Sequence, residues 1–523
     1  MPMTPPLSPA AIIGTGIMGR GILQVLAQSG ADVLAYDTNP TVAQAARDHA
    51  LDMIAKLAAK GRLDPAIARS APDRIRVIHD LRDLCGCTLV IEAVAEELAV
   101  KQALLAELEQ IVAPECILAS NTSSLMISAI AARCAHPGRV AGFHFFNPVP
   151  LMQVVEVIAG ERTSEAVLKS LSEFAEAFGH TAVRTADTPG FLVNHAGRGL
   201  TTEGLRMVQE RIATPSQIDH ILTKAAGVRM GPFSLLDLTG LDVSSRVFDL
   251  IYDGFYHEPR FRPQPILHRR VAAGLYGRKS GEGFYTYTAQ GQAQPVAEAA
   301  VPPGDGGAVW LGAIEAPWRD RLISLFPPQA IDGGAAPGAQ SVIILAPIGH
   351  DTTTEASARN LDAARCVSID PLFGHGPDPF LTVMPTVATD AAALFRVTGW
   401  LADTHALAVI ADSPGFVCQR TVALIVNIAC DLAQQGIASV HDIDAAVRLG
   451  LGYPTGPLTW GDSIGPSHIL LILERMHQFY GDPRYRPSPW LKRRAMLGLS
   501  LRAEPSFDPL AQNPGRASGA GAK

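Results

Sequence analysis

The chain has 523 residues, of which 47% are apolar, and this length and composition favour about two to four packed globular domains. Its formal net charge is −7 and its basic residues are scattered, so neither nucleic acid nor an anionic membrane is an expected partner. The N-terminal stretch lacks a secretory signal pattern and no apolar run reaches the roughly 18 residues that span a bilayer, so we expect a cytoplasmic protein with a small-molecule ligand.

A strand, a glycine-rich turn and a helix are predicted near the N-terminus, in "AAIIGTGIMGRGILQVLAQSG". The apolar run Ala10–Ile13 leads into Gly14-x-Gly16-x-x-Gly19, and apolar residues at helical spacing follow. Gly14 allows a tight turn, Gly16 lets the backbone approach a pyrophosphate, and Gly19 lets the helix pack against the strand. A glycine-rich loop without a special function is the alternative, but the strand before it and the helix after it favour dinucleotide binding.

The next apolar run ends at Asp37, where a carboxylate would hold the ribose 2′-hydroxyl of a dinucleotide. A carboxylate at this place repels a 2′-phosphate. The sequence therefore predicts NAD rather than NADP as the cofactor.

Polar residues follow two further predicted strands, in "CTLVIEAVAEELAVK" and "CILASNTSSL". In an open parallel sheet, ligands bind outside the carboxyl ends of the strands. Glu96, Lys101, Asn121 and Ser123 are therefore candidates to line the cleft, with Asn121 on the cofactor side. A helix N-cap is the alternative reading of "SNTSS", because Ser, Thr and Asn are favoured there in any case.

The stretch "GFHFFNPVPLMQVVEV" places two titratable side chains, His144 and Glu156, in an almost wholly apolar run. A core histidine and an alternating polar residue on a half-buried strand are the plain interpretation. The alternative is a pair brought together by a strand, a turn at "NPVP" and a returning strand. Oxidation of an alcohol by hydride transfer requires a base near the hydroxyl. In that arrangement His144 could be the base, and the carboxylate would orient its ring.

Five segments together closely resemble the L-3-hydroxyacyl-CoA dehydrogenase family: "IIGTGIMGRGI", "VIEAVAEELAVK", "ASNTSSL", "GFHFFNPVPLMQVVEV" and "DTPGFLVNH". They occur in the family's order and spacing, and the resemblance covers about residues 8–290. It implies an α/β Rossmann-type NAD-binding domain followed by all-α C-terminal domains. It also implies NAD-dependent oxidation of an L-3-hydroxyacyl-CoA to the 3-ketoacyl-CoA.

The resemblance also implies roles for individual residues. His144 matches the family's catalytic base and Glu156 its partner, while Ser123 and Asn194 match the polar residues that hold the oxygen atoms of the substrate.

Other residues match the family's ligand contacts. Glu96 and Lys101 match contacts on the cofactor side, and the segment with Lys56 and Lys60 lies near the CoA moiety in the family. The i,i+4 spacing of the two lysines puts them on one helix face, which is equally consistent with a solvated surface.

The second half of the chain repeats part of the first half. Two segments align without gaps, "DTPGFLVNHAGRGL…QIDHILTKAAGVRMGPFSLLDLTGLD" and "DSPGFVCQRTVALI…DIDAAVRLGLGYPTGPLTWGDSIGP". Asp187 pairs with Asp412 and Asp219 with Asp444, at a constant offset of 225. A constant offset over this length indicates an internal duplication.

The second copy lacks the candidate catalytic residues. Asn194 aligns with Gln419 at the same offset of 225, and upstream, after a one-residue shift, His144 aligns with Asp370 and Glu156 with Thr382. The same half lacks the glycine fingerprint. We therefore expect the second copy to have kept the scaffold without the chemistry, and to pack against the first helical domain as an internal pseudo-dimer partner, with homo-oligomerisation also open.

Five regions follow from these patterns: an NAD-binding Rossmann domain (8–185), a first helical substrate or dimerisation domain (186–289), a linker with a degenerate α/β segment (290–410), a second helical repeat (411–506) and a flexible tail (507–523). The Pro- and Gly-rich stretch "TAQGQAQPVAEAAVPPGDGG" marks the linker.

The seven cysteines do not suggest a disulfide framework or a zinc site, because their number is odd and they form no C-x-x-C pair. We expect most of them to be small core residues and no metal to be bound.

Two other functions stay open on the sequence. A β-hydroxyacid dehydrogenase acting on a free acid shares the "GTGIMG" start, but it relies on a lysine that "GFLVNHAGRG" lacks. A non-catalytic NAD-binding protein is the second alternative. Arg198, Arg206 and Arg229 are candidates to meet a carboxylate at the far end of an acyl chain, and the sequence does not rank them.

Overall fold

The computed structural model describes residues 7–294 and 306–505. The expected tail and the middle of the expected linker therefore lie outside the described residues. The first unit is a sheet of eight strands, β1 (Ala10–Ile13), β2 (Val33–Tyr36), β3 (Ile75–Val77), β4 (Leu89–Glu92), β5 (Ile117–Ser120), β6 (Val140–Phe145), β7 (Val154–Ala159) and β8 (Thr181–Ala186). Its helices are α1 (Ile17–Gln28), α2 (Pro40–Ala59), α3 (Pro65–Arg74), α4 (Leu98–Leu108), α5 (Ile127–Ala131) and α6 (Glu165–Ala177).

The first sheet has the order β3-β2-β1-β4-β5-β6-β7-β8 and is parallel from β3 through β6. Strands β1, β4 and β5 are buried along their whole length, because helices cover both faces of the sheet. The strand order reverses between β1 and β4, so a crevice opens at their carboxyl ends. The predicted Rossmann-type sheet is confirmed.

Strand β7 reverses direction and pairs antiparallel with β6, and in this register His144 lies opposite Glu156. Strand β8 then pairs parallel with β7. The reversal is the feature that brings together two side chains twelve residues apart in the sequence.

Helices follow the first sheet. They are α7 (Val193–Ala196), α8 (Arg198–Gln209), α9 (Pro215–Lys224), α10 (Pro232–Thr239), α11 (Leu241–Gly254) and α12 (Pro265–Ala272). Three of them begin with proline. Proline suits the first position of a helix because the N–H that it lacks would have no partner within the helix there.

A second, smaller sheet has six strands, β9 (Val309–Trp310), β10 (Ile331–Asp332), β11 (Val342–Leu345), β12 (Cys366–Ile369), β13 (Phe380–Pro385) and β14 (Ala406–Val409), in the order β10-β9-β11-β12-β13-β14. Its helices are α13 (Ala316–Ile323), α14 (Thr352–Ala358) and α15 (Ala391–Ala402). As in the first sheet, the one antiparallel pair, β12 with β13, is followed by a parallel pair. The expected degenerate α/β segment therefore retains the part of the first sheet in which a strand reverses direction, the part equivalent to β6, β7 and β8.

A second group of helices follows this sheet: α16 (Val417–Gln434), α17 (Val440–Leu451), α18 (Pro457–Ile464), α19 (Pro466–Tyr480) and α20 (Pro489–Leu497).

Aspartates paired by the repeat make equivalent contacts. The carboxylate of Asp187 accepts hydrogen bonds from the backbone N–H groups that open α5, and that of Asp412 accepts from those that open α14. Asp219 and Asp444 do the same for α10 and α18. Each of these aspartates therefore satisfies free N–H groups at a helix N-terminus, where a negative charge is favourable, and it does so equivalently in both copies.

The two helical regions share one apolar core, in which α8 crosses α16 at close range. A Cβ atom at Gly199 would lie 2.9 Å from the side chain of Ile425 and 3.0 Å from its Cα, so the absence of a side chain permits the contact.

Beside this crossing, Glu203 is wholly buried and pairs with Arg420 at 2.6 Å and with Arg484 at 3.1 Å. Burial by itself would raise the pKa of Glu203, but the two arginines lower it to about 2.

Six of the seven cysteines are buried and all seven are free, so the prediction that most are core residues is confirmed. Within residues 7–294 and 306–505, no cluster of three or more His, Cys, Asp or Glu side chains is arranged to hold a metal ion. Over the same residues, no helix combines the length and the apolar character that crossing a membrane requires.

Candidate functional site

The glycine loop between β1 and α1 has the geometry of a pyrophosphate cradle. Gly14 has a φ of +84°, and a Cβ there would lie 2.7 Å from the carbonyl oxygen of Ala93. A Cβ at Gly19 would lie 1.8 Å from the carbonyl oxygen of Gly14, so only glycine permits this approach of helix to strand. A Cβ at Gly16, by contrast, would meet no protein atom within 4 Å. The space it would fill is open to a ligand at the N-terminus of α1, where anions are favoured.

Asp37 follows β2 directly and is tied to the glycine loop. Its Oδ2 accepts a hydrogen bond from the backbone N–H of Thr15 at 2.8 Å, and its Oδ1 accepts one from the backbone of Asn39 at 3.0 Å. The contact with Thr15 fixes the carboxylate relative to the cradle. The residues present therefore fit a dinucleotide, with the pyrophosphate at the loop and a ribose at Asp37.

Glu96 lies after β4 and links that strand end to the next. Its Oε1 accepts hydrogen bonds from the hydroxyls of Thr122 and Ser124 and from the backbone N–H of Ser123, all within 3.0 Å. Burial by itself would raise the pKa of Glu96, but these hydrogen bonds and the charge of Lys101 lower it. Glu96 is therefore a fixed anion at the edge of the cleft.

Lys101 differs from the expectation of a cofactor contact. It is 1% exposed, and its ammonium group lies 2.9 Å from Glu92 and 3.3 Å from Glu96. Glu92 also accepts a hydrogen bond from the hydroxyl of Ser120. Lys101 thus links the buried carboxylate of Glu92 to Glu96 and helps to hold Glu96 in place. The sequence reasoning missed Glu92, although a glutamate that ends the apolar strand "LVIE" was a signal for it.

His144 and Glu156 face each other across β6 and β7, with 2.6 Å between the histidine Nδ1 and the glutamate Oε2. His144 is 5% exposed and Glu156 is fully buried. Phe146 and Phe191 line the imidazole, with ring centroids 4.6 and 5.9 Å from it. The predicted adjacency of the two residues is confirmed.

The second oxygen of Glu156 is held by the loop that precedes α7. Its Oε1 accepts hydrogen bonds from the backbone N–H groups of Leu192 and Val193, at 2.9 and 2.7 Å. Phe191, just before them, has a φ of +49°, an uncommon conformation for a bulky residue. Backbone strain of this kind concentrates at functional sites, and here it aims two N–H donors at one carboxylate. Asn194, on α7, follows these donors directly.

Asn121 and Ser123 lie beyond the end of β5. The side-chain oxygen of Asn121 accepts a hydrogen bond from the backbone N–H of Phe145 at 2.8 Å, which ties this strand end to the residue after His144. Ser123 is exposed beside Glu96.

Lys56 and Lys60 lie at the end of α2, and both are exposed. Lys56 forms an i,i+4 ion pair with Asp52 at 2.6 Å. An exposed cationic helix end is compatible both with CoA phosphates and with a solvated surface.

The equivalent place in the second sheet is closed. The register of β12 and β13 sets Asp370 opposite Thr382, as the alignment predicted, and the backbone N–H of Asp370 donates to the carbonyl of Thr382 at 3.1 Å. Gln419 donates from its amide to Asp370 Oδ1 at 3.0 Å, and both side chains are buried. Asp370 Oδ2 has no hydrogen-bond partner among the described residues. Burial raises the pKa of Asp370 to about 7.

Comparison with protein families assigns both halves. Residues 9–188 match the model described as the 3-hydroxyacyl-CoA dehydrogenase NAD binding domain. The C-terminal domain of the same family matches twice, over residues 190–287 and 415–505. The chain belongs to the 3-hydroxyacyl-CoA dehydrogenase family. The match of the first domain makes NAD its cofactor, in agreement with the cradle and Asp37.

Relatives within the 3-hydroxyacyl-CoA dehydrogenase family include a protein that matches nearly the whole chain and a shorter one that matches only its first half. The chain is similar to 3-hydroxyadipyl-CoA dehydrogenase of Escherichia coli K12, at 36% identity over 93% of this chain and 97% of that protein. A probable 3-hydroxybutyryl-CoA dehydrogenase of Deinococcus radiodurans is 42% identical over 53% of this chain and 99% of its own length.

A solved structure also covers nearly the whole chain. The crystal structure of 3-hydroxybutyryl-CoA dehydrogenase from Escherichia coli K12 superposes with a TM-score of 0.82 at 34% identity, covering 94% of this chain and 98% of that one. The double-repeat organisation is thus shared with a family member of known structure.

Proposed function

We propose that the chain oxidises an L-3-hydroxyacyl-CoA to the 3-ketoacyl-CoA with His144 as general base. The observation that carries this proposal is the buried contact between His144 and Glu156 at 2.6 Å, beside the carboxyl end of the NAD-binding sheet. The glycine loop and Asp37 would hold NAD⁺, and the cofactor would supply the acceptor for the hydride from C3 of the substrate. The free nitrogen of His144, Nε2, takes the proton of the C3 hydroxyl, so the carbonyl forms as proton and hydride depart.

Glu156 holds the imidazole in one tautomer and balances the charge that it gains with the proton. One oxygen of Glu156 contacts His144, and the other accepts two backbone N–H bonds at 2.9 and 2.7 Å. With both oxygens engaged, the carboxylate cannot rotate away from the histidine. Such preorganisation stabilises imidazolium without rearrangement during the reaction.

In this proposal Ser123 and Asn194 position the oxygen atoms of the substrate. Ser123 lies on the strand end held by Glu96, and Asn194 on the helix that follows the Glu156 donors. Lys101 acts as a positioning residue through Glu96, and Asn121 holds the strand end next to His144. We propose that Lys56 and Lys60, both exposed at the end of α2, meet the phosphates of CoA.

A spectrophotometric assay of NADH tests the proposal. Acetoacetyl-CoA should be reduced with consumption of NADH, and 3-hydroxybutyryl-CoA oxidised with its formation. Turnover of free 3-hydroxyisobutyrate but not of the CoA thioesters would favour the β-hydroxyacid dehydrogenase alternative. NAD binding without turnover of any of them would favour the non-catalytic alternative.

We infer further that residues 411–506 act as a built-in partner for residues 186–289, so that the chain is an internal pseudo-dimer with one active site. The equivalent helices α8 and α16 cross at Gly199 and Ile425, as a two-fold interface between copies requires. Arg260 and Arg484 are each the middle residue of a short Pro-Arg-aromatic helical turn in their copy, and each forms an ion pair with the other copy. Arg260 pairs with Asp431, and Arg484 pairs with Glu203.

The domain division follows from this inference: residues 8–185 bind NAD, 186–289 complete the substrate site, 290–410 link the copies and support the second, and 411–506 cover the first helical region. Deletion after about residue 290 would test it, since the exposed face should cause insolubility or new self-association. A truncated protein that is monomeric and fully active would contradict it.

A further inference from the structure

Arg198 opens α8 one helical turn after Asn194. Its Nε donates a hydrogen bond to the backbone carbonyl of Asn194 at 2.9 Å, and its guanidinium carbon lies 4.5 Å from the ring centre of Phe248. The residue is half-buried, yet its Nη1 is shut off from solvent and has no hydrogen-bond partner among the described residues. A donor of a cationic group is thus left unused beside a residue of the proposed substrate site.

The environment of Arg198 offers the cation no opposite charge. Burial lowers the pKa of Arg198 to about 10, so the guanidinium is still charged at neutral pH. Among residues 7–294 and 306–505, no carboxylate forms an ion pair with it. Its neighbour His195 is neutral there, because burial and the charges of Arg198 and Arg260 lower the pKa of His195 to about 3. A buried cation without an anion is costly, and proteins normally pair it.

A second unpartnered group comes from the other repeat. Tyr453 is 4% exposed, its hydroxyl has no hydrogen-bond partner among the described residues, and its main charged neighbour is Arg198. The end of α17, which closely precedes Tyr453, packs on α7 and on the residue after it: a Cβ at Gly450 would lie 3.0 Å from Val193, and one at Gly197 would lie 3.3 Å from Leu451. Two donors without a partner among the described residues, one cationic and one neutral, therefore lie at the junction of the repeats.

We propose that Arg198 and Tyr453 form a subsite for a carboxylate at the far end of the acyl chain. This inference rests on the proposed function, because Asn194 then marks where the 3-hydroxyl lies and Arg198 is one helical turn further. A carboxylate would accept hydrogen bonds from both the Arg198 guanidinium and the Tyr453 hydroxyl, and it would also neutralise the charge of Arg198. A methyl end group would do neither. The substrate class is then a 3-hydroxyacyl-CoA whose short acyl chain ends in a carboxylate. The second repeat supplies part of the first copy's site.

The test compares two substrates of equal chain length, 3-hydroxyadipyl-CoA and 3-hydroxyhexanoyl-CoA, with NAD⁺ and the full chain. The unmodified enzyme should favour the dicarboxylic substrate in kcat/KM. Arg198→Met should reduce that preference by roughly 10²-fold or more, chiefly through KM, since the substrate carboxylate would be left without its cation. Tyr453→Phe should reduce it less, because a neutral hydrogen bond is weaker than a charged one. Arg246→Met, at an exposed arginine on α11, the helix that carries Phe248, is the matched control and should leave the preference unchanged.

The outcomes separate this inference from the proposed function. Oxidation of neither thioester would overturn the proposed function itself. Oxidation of both with equal kcat/KM by the unmodified enzyme, or an equal loss for both in Arg198→Met and Tyr453→Phe, would overturn the subsite and leave the function standing. If Arg198→Met does not fold, an unchanged substrate preference in Tyr453→Phe would count against the subsite.

Discussion

Glu203 of the first helical region and Arg420 of the second meet at 2.6 Å with both side chains fully buried. Removing one partner of such a pair leaves the other charge buried and uncompensated, which costs about 3–5 kcal/mol.

Arg420→Met should therefore destabilise the full chain by about that amount in chemical denaturation. Lys492→Met is the control, because Lys492 pairs with Glu474 at the surface, where an ion pair contributes about 1 kcal/mol or less. Equal effects of the two substitutions would show that the buried pair does not hold the repeats together.

His144→Gln should lower kcat by roughly 10²- to 10⁴-fold, the contribution of a general acid–base group, with the Kd for NAD⁺ little changed. Steady-state kinetics and calorimetric titration of the cofactor measure the two quantities. His180→Gln, a buried histidine that contacts the carbonyl of Val149, controls for loss of folding. Near-normal turnover by folded His144→Gln would remove this residue from the mechanism.

Asp37→Asn should relax discrimination against NADP⁺, because the carboxylate that repels the 2′-phosphate is gone while the contact with Thr15 can persist. The measured quantity is the ratio of kcat/KM for the two cofactors. Asp32→Asn, an exposed aspartate before the same strand, should leave the ratio unchanged. Equal use of both cofactors by the unmodified enzyme would contradict the role of Asp37.

Asp370 makes stability depend on pH. Its pKa is raised by burial from 3.8 to about 7, so the folded state holds this proton more tightly than the unfolded state does. Stability is therefore lost as pH rises from about 4 towards about 7 and then levels off, by on the order of 4 kcal/mol.

Asp370→Asn keeps the acceptor for Gln419 and removes the titration, so it should be more stable than the unmodified chain near about pH 8 and lose that advantage near about pH 5. Thermal midpoints at the two pH values measure this. The exposed Asp403→Asn checks that loss of any carboxylate does not give the same result. An advantage of Asp370→Asn that is independent of pH would rule out the titration.

Calorimetric titration should find one NAD⁺ site and one acyl-CoA site per chain. The second sheet lacks the glycine cradle, and Asp370 and Gln419 are bonded to each other where the first copy has His144 and Asn194. Two equivalent acyl-CoA sites per chain would mean that the second copy is more than a partner surface.

Local patterns were enough to predict the first sheet, its glycine cradle and the pairing of His144 with Glu156, because these depend on periodicity and on one strand reversal. The duplication was readable from a constant offset. The contacts between the two copies could not be predicted from the sequence. Glu203 and Arg420 are 217 residues apart, and nothing local distinguishes a buried arginine on α16 from a solvated one. The choice of Arg198 among three arginines likewise depends on a loop of the other repeat.

The crossing of α8 and α16 has one property that two identical chains could not share. At the offset of the repeat, Glu203 corresponds to Ile428 and Arg420 to His195, so the buried ion pair exists on one side of the interface only. A dimer of two first helical regions would bury Glu203 against a histidine. A dimer of two second helical regions would bury Arg420 against an isoleucine. Self-pairing of either copy would therefore lose the buried ion pair that the two different copies form, and their covalent tether keeps these two copies at high local concentration.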